Sequence, residues 1–259
     1  MKAGMIGLGA MGVGMARNIA KAGYLTGVYN RTAAKAQSLA EELNAIAYHQ
    51  PEELAANVDI VLICVSADQD VLTMVAAIAK TIKPGTIVVD MSTVSSDTAK
   101  QAAAMLAEKQ ADFLDAPVSG GVEGAKNGTL AMMVGGDAAT LEKARPVLTA
   151  MTDRIMHMGS IGAGQATKAA NQIMCAGINE AVTEALAFAE AQGLPMDKVI
   201  DIISGGAAGN WFLDRRGLTM TQGIFKPGFK LALHHTGFKN LPGHGGANRH
   251  GDSVNRQDG

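Results

Sequence analysis

Three glycines, Gly7, Gly9 and Gly12, stand in the pattern G-x-G-x-x-G between an apolar run, Ala3 to Ile6, and an alanine-containing stretch of helical character. Glycines at that spacing suit a dinucleotide. Gly7 permits a tight turn, Gly9 lets a pyrophosphate approach the backbone, and Gly12 lets the helix pack close to the strand, so that the helix N-terminus faces the anion. The loop Gly7, Leu8, Gly9, Ala10, Met11 and Gly12 is therefore a candidate cofactor-binding segment. At the end of the next β-branched run, where a chain that binds NAD offers a carboxylate to the ribose hydroxyls, this one has Asn30-Arg31-Thr32, with Lys35 one turn on. An acid there would repel a 2′-phosphate, whereas the fork of Arg31 can pair with it. NADPH is the expected cofactor and NADH the alternative; the plainer reading of Arg31 and Lys35 is a solvated helix start, and Lys35 is the weaker of the two.

These residues require elements that hold them at one edge of a sheet. Up to about residue 160, short runs rich in β-branched residues (Ala3 to Ile6, Leu25 to Tyr29, Ile60 to Val65, Ile87 to Asp90, Asp112 to Ala116, Leu130 to Val134, Ile155 to Met158) alternate with amphipathic stretches such as Met11 to Lys21, Ala33 to Leu43 and Thr98 to Lys109. That alternation predicts an α/β fold, a Rossmann-type doubly wound, mostly parallel sheet over residues 1–160. Beyond Gly159 the rhythm changes. Gly164 to Gln192 reads as one long alanine-rich helix, stopped by Gly193, with Pro195 opening the next. Residues 161–235 are expected to form a smaller, truncated all-α domain, and residues 236–259, rich in Gly, His, Asn and Arg, carry no signal for a packed element.

Composition narrows the function classes. Hydrophobic residues make up 47% of the 259, yet no uninterrupted apolar run approaches the roughly 20 residues of a membrane span. The first residues, MKAGMIGLGAMG, resemble a secretory leader only superficially, because the glycines and the helix after them argue for the dinucleotide loop. A net charge of −2 with both signs dispersed gives no basic stripe for nucleic acid and no polybasic membrane patch. Cys64 and Cys175 lack metal or disulfide spacing and are expected to be reduced core thiols of a cytoplasmic protein. The histidines, the adjacent His234 and His235 included, form no ligand set with carboxylates or cysteines, so no metal is implied.

Five segments in order, GLGAMG at 7–12, DMSTVS at 90–95, DAPVSGG at 115–121, GAGQATKAANQ at 162–172 and FKPGFKLALHH at 225–235, resemble the β-hydroxyacid dehydrogenases, among them 3-hydroxyisobutyrate dehydrogenase, tartronate semialdehyde reductase and glyoxylate/succinic semialdehyde reductase. The resemblance covers residues 1 to about 235. It implies hydride transfer between a nicotinamide and a small carboxylate-bearing β-hydroxy acid or semialdehyde. It places Lys168 as general acid/base with Asn171 as its partner three residues on, Ser119, Gly120 and Gly121 together with Lys168 on the substrate, and Val65, Ser66 and Thr93, beside Ser92, on the cofactor. Oxidation of an alcohol by hydride loss needs a base for the hydroxyl proton, carbonyl reduction needs an acid, and a lysine serves both. On residue type alone, a lone lysine on an alanine-rich helix would be a solvated face. Asp90 and Asp115, at strand ends, are read as loop anchors, and Trp211 and Phe212 fit either a pocket wall or the core. The resemblance also implies a homo-dimer or homo-tetramer if the helical domain is intact.

One departure stands out. After LALHH the family continues with lysine, aspartate and leucine, and here Thr236 begins a different tail. In one permitted coding of Thr236 to Ala247, deletion of a single base restores KDLKICQDMAE, which has the family's continuation and a helical pattern. A frameshift near codon 236 is expected, and sequencing the encoding DNA across it is the check. Two other readings compete with the leading one. An imine reductase of the same architecture is disfavoured by Lys168, since those enzymes usually carry another residue there; a truncated cofactor-binding protein would bind NADPH without turnover.

Overall fold

In a computed structural model of the chain, residues 1–224 are described. The segment at 225–235, with His234 and His235, and the tail from Thr236 lie outside the described residues.

The strands are β1 Ala3–Ile6, β2 Leu25–Tyr29, β3 Ile46–Ala47, β4 Ile60–Ile63, β5 Ile87–Asp90, β6 Asp112–Asp115, β7 Val118–Ser119, β8 Leu130–Gly136 and β9 Thr152–Gly159. Between them run α1 Gly12–Lys21, α2 Ala33–Leu43, α3 Pro51–Ala55, α4 Asp68–Ile78, α5 Ser96–Ala107, α6 Gly121–Asn127 and α7 Ala138–Leu148, and after them α8 Ala163–Ala191, α9 Met196–Ser204 and α10 Trp211–Thr221. The sheet order is β3-β2-β1-β4-β5-β6-β8-β7, with β9 on β8. Strands β1 to β6 pair in parallel, as do β8 and β9, while β8 runs antiparallel to β6 and β7. This is the Rossmann-type, mostly parallel sheet, its order reversing at β1 and β4, the switch point at which such sheets bind ligands.

Alternate side chains of each strand enter opposite layers, which is why these strands read as unbroken apolar runs. Met5, Leu62 and Val89 pack on one face with Met15 and Ile19 of α1, whereas Ile6, Val61, Ile63 and Val88 pack on the other with Val71 and Val75 of α4. Each such fully buried aliphatic side chain contributes roughly 1.5–3 kcal/mol.

Strand ladders set the edge of interest. Ile6 lies level with Tyr29 and Ile63, Ile63 with Asp90, and Asp90 with Asp115. The loops that leave β1, β2, β4, β5 and β6 therefore emerge from one row at the carboxyl edge of the sheet.

Met1–Ala169 forms one compact unit, and the described residues from Ala170 onward form a second. The division falls inside α8, later than the 160/161 division read from the strand rhythm, because the first turns of α8 are bonded to the strand ends, as described below. In the second unit Val182, Leu186 and Leu213 make a small apolar cluster, against which Phe212 packs. Trp211 is exposed, edge-on to Phe212 at 5.4 Å, with Arg216 5.9 Å from its ring centre. Among the described residues no helix is long and apolar enough to cross a membrane.

Candidate active site

The loop after β1 turns at Gly7, whose φ of +94° is left-handed. A side chain there would collide with the Cys64 carbonyl, and one at Gly12 with the Gly7 carbonyl. Both glycines are thus needed for the turn to close on itself. Gly9 has no atom within 4 Å of where a Cβ would stand, so its backbone is open to a close-lying group. No side chain caps the N-terminus of α1 and no acidic residue stands in its first turn, which suits an incoming anion. A dinucleotide phosphate fits these features. Leu8 contributes its backbone only, since its side chain is in the core, while Ala10 is exposed and Met11 half-buried.

Asn30 does more than mark the strand end. Its Oδ1 accepts from the Leu8 amide at 3.0 Å and its Nδ2 donates to the Thr32 carbonyl, tying the glycine loop to β2. Thr32 precedes α2, and Lys35 is exposed on its first turn. The Arg31 side chain is 92% exposed, and its guanidinium lies 3.8 Å from the Asp70 carboxylate of α4, too far for a fixed hydrogen bond.

The loops after β4 and β5 interlock. The Val65 amide donates to Ser92 Oγ at 2.9 Å, and the Ser92 amide to Asp90 Oδ1 at 3.0 Å. Ser66 is exposed and Thr93 half-buried. The loop after β6 continues through β7 to Ser119, and the chain reverses at Gly120 and Gly121, both at positive φ, into α6.

Asp115, at the end of β6, caps the long helix α8 from outside: Oδ1 accepts from the Gly162 amide at 2.7 Å and Oδ2 from the Gln165 amide at 2.9 Å. Gly164 passes so close to the Asp115 and Met133 carbonyls that a side chain would strike both. Gln165, buried on the same turn, reaches the β5 loop: its Nε2 donates to the Ser92 carbonyl at 2.8 Å and its Oε1 accepts from the Val94 amide at 3.1 Å. One turn further stands Lys168, 8% exposed. Asn171, three residues on, donates to Gln172 at 3.2 Å and to Cys175 Sγ at 3.6 Å. Sequence reading passed over Gln165 because a glutamine on an alanine-rich helix gives no signal. Only its tertiary contacts single it out.

Burial dominates the electrostatics. It pushes Asp90 up to about 6, helped by the charges of Asp115 and Asp68 and opposed by hydrogen bonds from Ser92; Asp90 Oδ2 has no hydrogen-bond partner among the described residues. Asp115 is also raised by burial, against the pull of the α8 amides. Burial pushes the Cys64 thiol up to about 12, with Asp90 adding to it. Both cysteines are free and half-buried. Among the described residues no group of His, Cys, Asp and Glu is placed to hold a metal.

Asp90 yields a stability prediction. An acid whose pKa is higher folded than unfolded binds its extra proton in the folded state between the two values, so stability is lost as pH rises from about 4 to 6. Ionised, Asp90 costs on the order of 3 kcal/mol. Asp90→Asn, which keeps the acceptor for Ser92, is expected to unfold at a higher temperature than the parent at pH 8, the gain fading by pH 4. Thermal melts at the two pH values check this, and an equal difference at both contradicts it.

Residues 2–159 match the NAD-binding domain of 6-phosphogluconate dehydrogenase, and residues 162–239 match the NAD-binding domain of NADP-dependent 3-hydroxyisobutyrate dehydrogenase. Escherichia coli (strain K12) 2-hydroxy-3-oxopropionate reductase is 39% identical over 237 residues, 90% of this chain and 80% of the relative. The chain belongs to the β-hydroxyacid dehydrogenase family. Like other β-hydroxyacid dehydrogenases, it is an NAD(P)-dependent oxidoreductase. The solved Mycobacterium tuberculosis 3-hydroxyisobutyrate dehydrogenase with L-serine superposes with a TM-score of 0.83 at 33% identity, over 92% of this chain and 84% of that one. Psf3 in complex with NADP+ and 2-OPP gives 0.84 at 25% identity, over 93% and 87%.

Proposed function

We propose that this β-hydroxyacid dehydrogenase is an NADPH-dependent reductase of small semialdehydes or 2-oxo acids such as 2-hydroxy-3-oxopropionate, glyoxylate or succinic semialdehyde, run in reverse on the matching hydroxy acid, with 3-hydroxyisobutyrate a further candidate. The observation that carries the reading is the near-complete burial of Lys168 in the second turn of a helix that Asp115 pins to the carboxyl edge of the sheet. A buried ammonium needs partners to hold it, and buried ionisable groups cluster where chemistry is done.

A nicotinamide dinucleotide whose pyrophosphate lies along Gly7 to Gly12 would supply or accept the hydride. The chain's own groups do the rest. Arg31 receives the 2′-phosphate, Asn30 fixes the loop that meets the pyrophosphate, and Val65, Ser66 and Thr93 flank the nicotinamide. Ser119 with the amides of Gly120 and Gly121 holds the substrate's carboxylate. In reduction the Lys168 ammonium faces the carbonyl oxygen, stabilises the negative charge that develops there and donates its proton; in oxidation the neutral amine takes the hydroxyl proton. Asn171 orients the substrate without competing for that proton. The reading includes a cytoplasmic protein that forms a homo-dimer or homo-tetramer if the helical domain is intact.

Absorbance of NADPH with each acid in turn tests this. Consumption is expected with at least one of the short semialdehydes, at higher kcat/KM than with NADH. Tight NADPH binding without consumption by any of them contradicts it and favours a cofactor-binding protein without turnover.

A further inference from the structure

We propose that Gln165 is the positioning residue that sets the distance between the nicotinamide-side loop and Lys168, by clamping Ser92 and Val94 from the helix that carries the lysine. The proposal rests on the reading of Lys168 as the proton-transfer group.

The side chain of Gln165 is 2% exposed and uses both ends of its amide on one loop. These bonds flank Thr93 on either side. The same residue's backbone amide is held by Asp115, and Ser92 in turn receives the Val65 amide on its hydroxyl. A single chain of hydrogen bonds thus joins the ends of β4, β5 and β6 to the first turn of α8. Lys168 follows Gln165 by three residues, on the same helical face. The start of the helix is seated by other groups too, Asp115 accepting from the Gly162 and Gln165 amides and Ser96 Oγ donating to the Gly162 carbonyl. What the glutamine adds is a fixed register between helix and loop. Only a group with a donor and an acceptor side by side satisfies a carbonyl and an amide of one loop, so Glu would lose the donor and Leu both.

Hydride transfer depends steeply on such a register, because reacting atoms must be held within a few tenths of an ångström. Gln165→Leu and Gln165→Glu are to be compared with the parent for NADPH affinity, kcat, KM and the primary deuterium isotope effect on kcat, using NADPH deuterated at the transferable position. Rates are normalised to titrated NADPH-binding sites, so misfolded protein does not count. In both variants kcat is expected to fall about tenfold, NADPH affinity to stay within about twofold, and the isotope effect to rise as the hydride step becomes limiting. Unchanged normalised kcat, or a lower kcat with an unchanged isotope effect, overturns the proposal. Lys168→Ala, run beside them, separates the two claims. If it is inactive while the Gln165 variants are fully active, only the positioning role fails; if it is fully active, the lysine reading itself fails.

Discussion

Lys168→Ala is expected to lower kcat by about three orders of magnitude, within the range that a positioned general acid supplies, while leaving NADPH affinity nearly unchanged. The lysine is buried at the start of α8, and its loss removes both the proton donor and the positive charge that the developing alkoxide needs. The ammonium is not expected to touch the phosphates, which the proposed reading places at the glycine loop, so cofactor binding is spared. Steady-state rates together with a fluorescence titration of NADPH check both halves. A variant that loses affinity as much as rate would place Lys168 on the cofactor instead.

Arg31→Ala is expected to weaken NADPH binding about thirtyfold, the worth of a charge-assisted contact to phosphate, and to leave NADH within about twofold. The side chain is almost wholly exposed and lies 3.8 Å from Asp70, so it gives no packing to the fold. Salt should shrink the NADPH preference of the parent, because an exposed charge pair is screened. On the proposed reading, the Asp70 carboxylate 3.8 Å away would compete with a 2′-phosphate for the guanidinium. Dissociation constants for both cofactors at two ionic strengths decide the matter; an equal loss for NADH and NADPH would show that Arg31 does not read the 2′-phosphate.

Much of the scaffold was legible because a strand buried on both faces leaves a plain mark. Ile87–Asp90 and Ala3–Ile6 are short apolar runs with turn residues beyond them, and their bounds follow directly. Where local chemistry sets the boundary, the periodicity misled. Helix α5 begins at Ser96, ahead of the expected Thr98, because Ser95 caps it through the Thr98 amide. The run from Ile60 was expected to reach Val65, but the ladder ends at Ile63 and the chain then turns aside, the Val65 amide going to Ser92. The two-residue strands Ile46–Ala47 and Val118–Ser119 are too short for any alternation to show. The run at Leu130 to Val134 is plain in the sequence as a strand, but its antiparallel pairing with β6 and β7 is not, since an apolar run does not carry its direction.

The site divides in the same way. Glycines at 7, 9 and 12 announce themselves: no side chain can enter at Gly7 or Gly12, and Gly9 leaves the backbone between them open. The contacts that organise the other half join residues far apart in the chain. Gln165 meets Asp115 and Ser92 across separations of 50 and 73 residues, and no local pattern encodes such meetings. Asn30 was read as a place where an acid is missing, and its bond to the Leu8 amide emerged only from the folded chain.

Direct transfer of the label is the most searching single measurement: the protein and its Lys168→Ala variant are mixed with NADPH deuterated at the transferable position and with glyoxylate or succinic semialdehyde, and the hydroxy acid formed is analysed by mass spectrometry. One deuterium is expected on the new carbinol carbon, in a product formed rapidly by the parent and about a thousandfold more slowly by the variant. Unlabelled product, no product from these two acids or from 2-hydroxy-3-oxopropionate despite bound NADPH, or equal rates from parent and variant would contradict lysine-dependent hydride transfer.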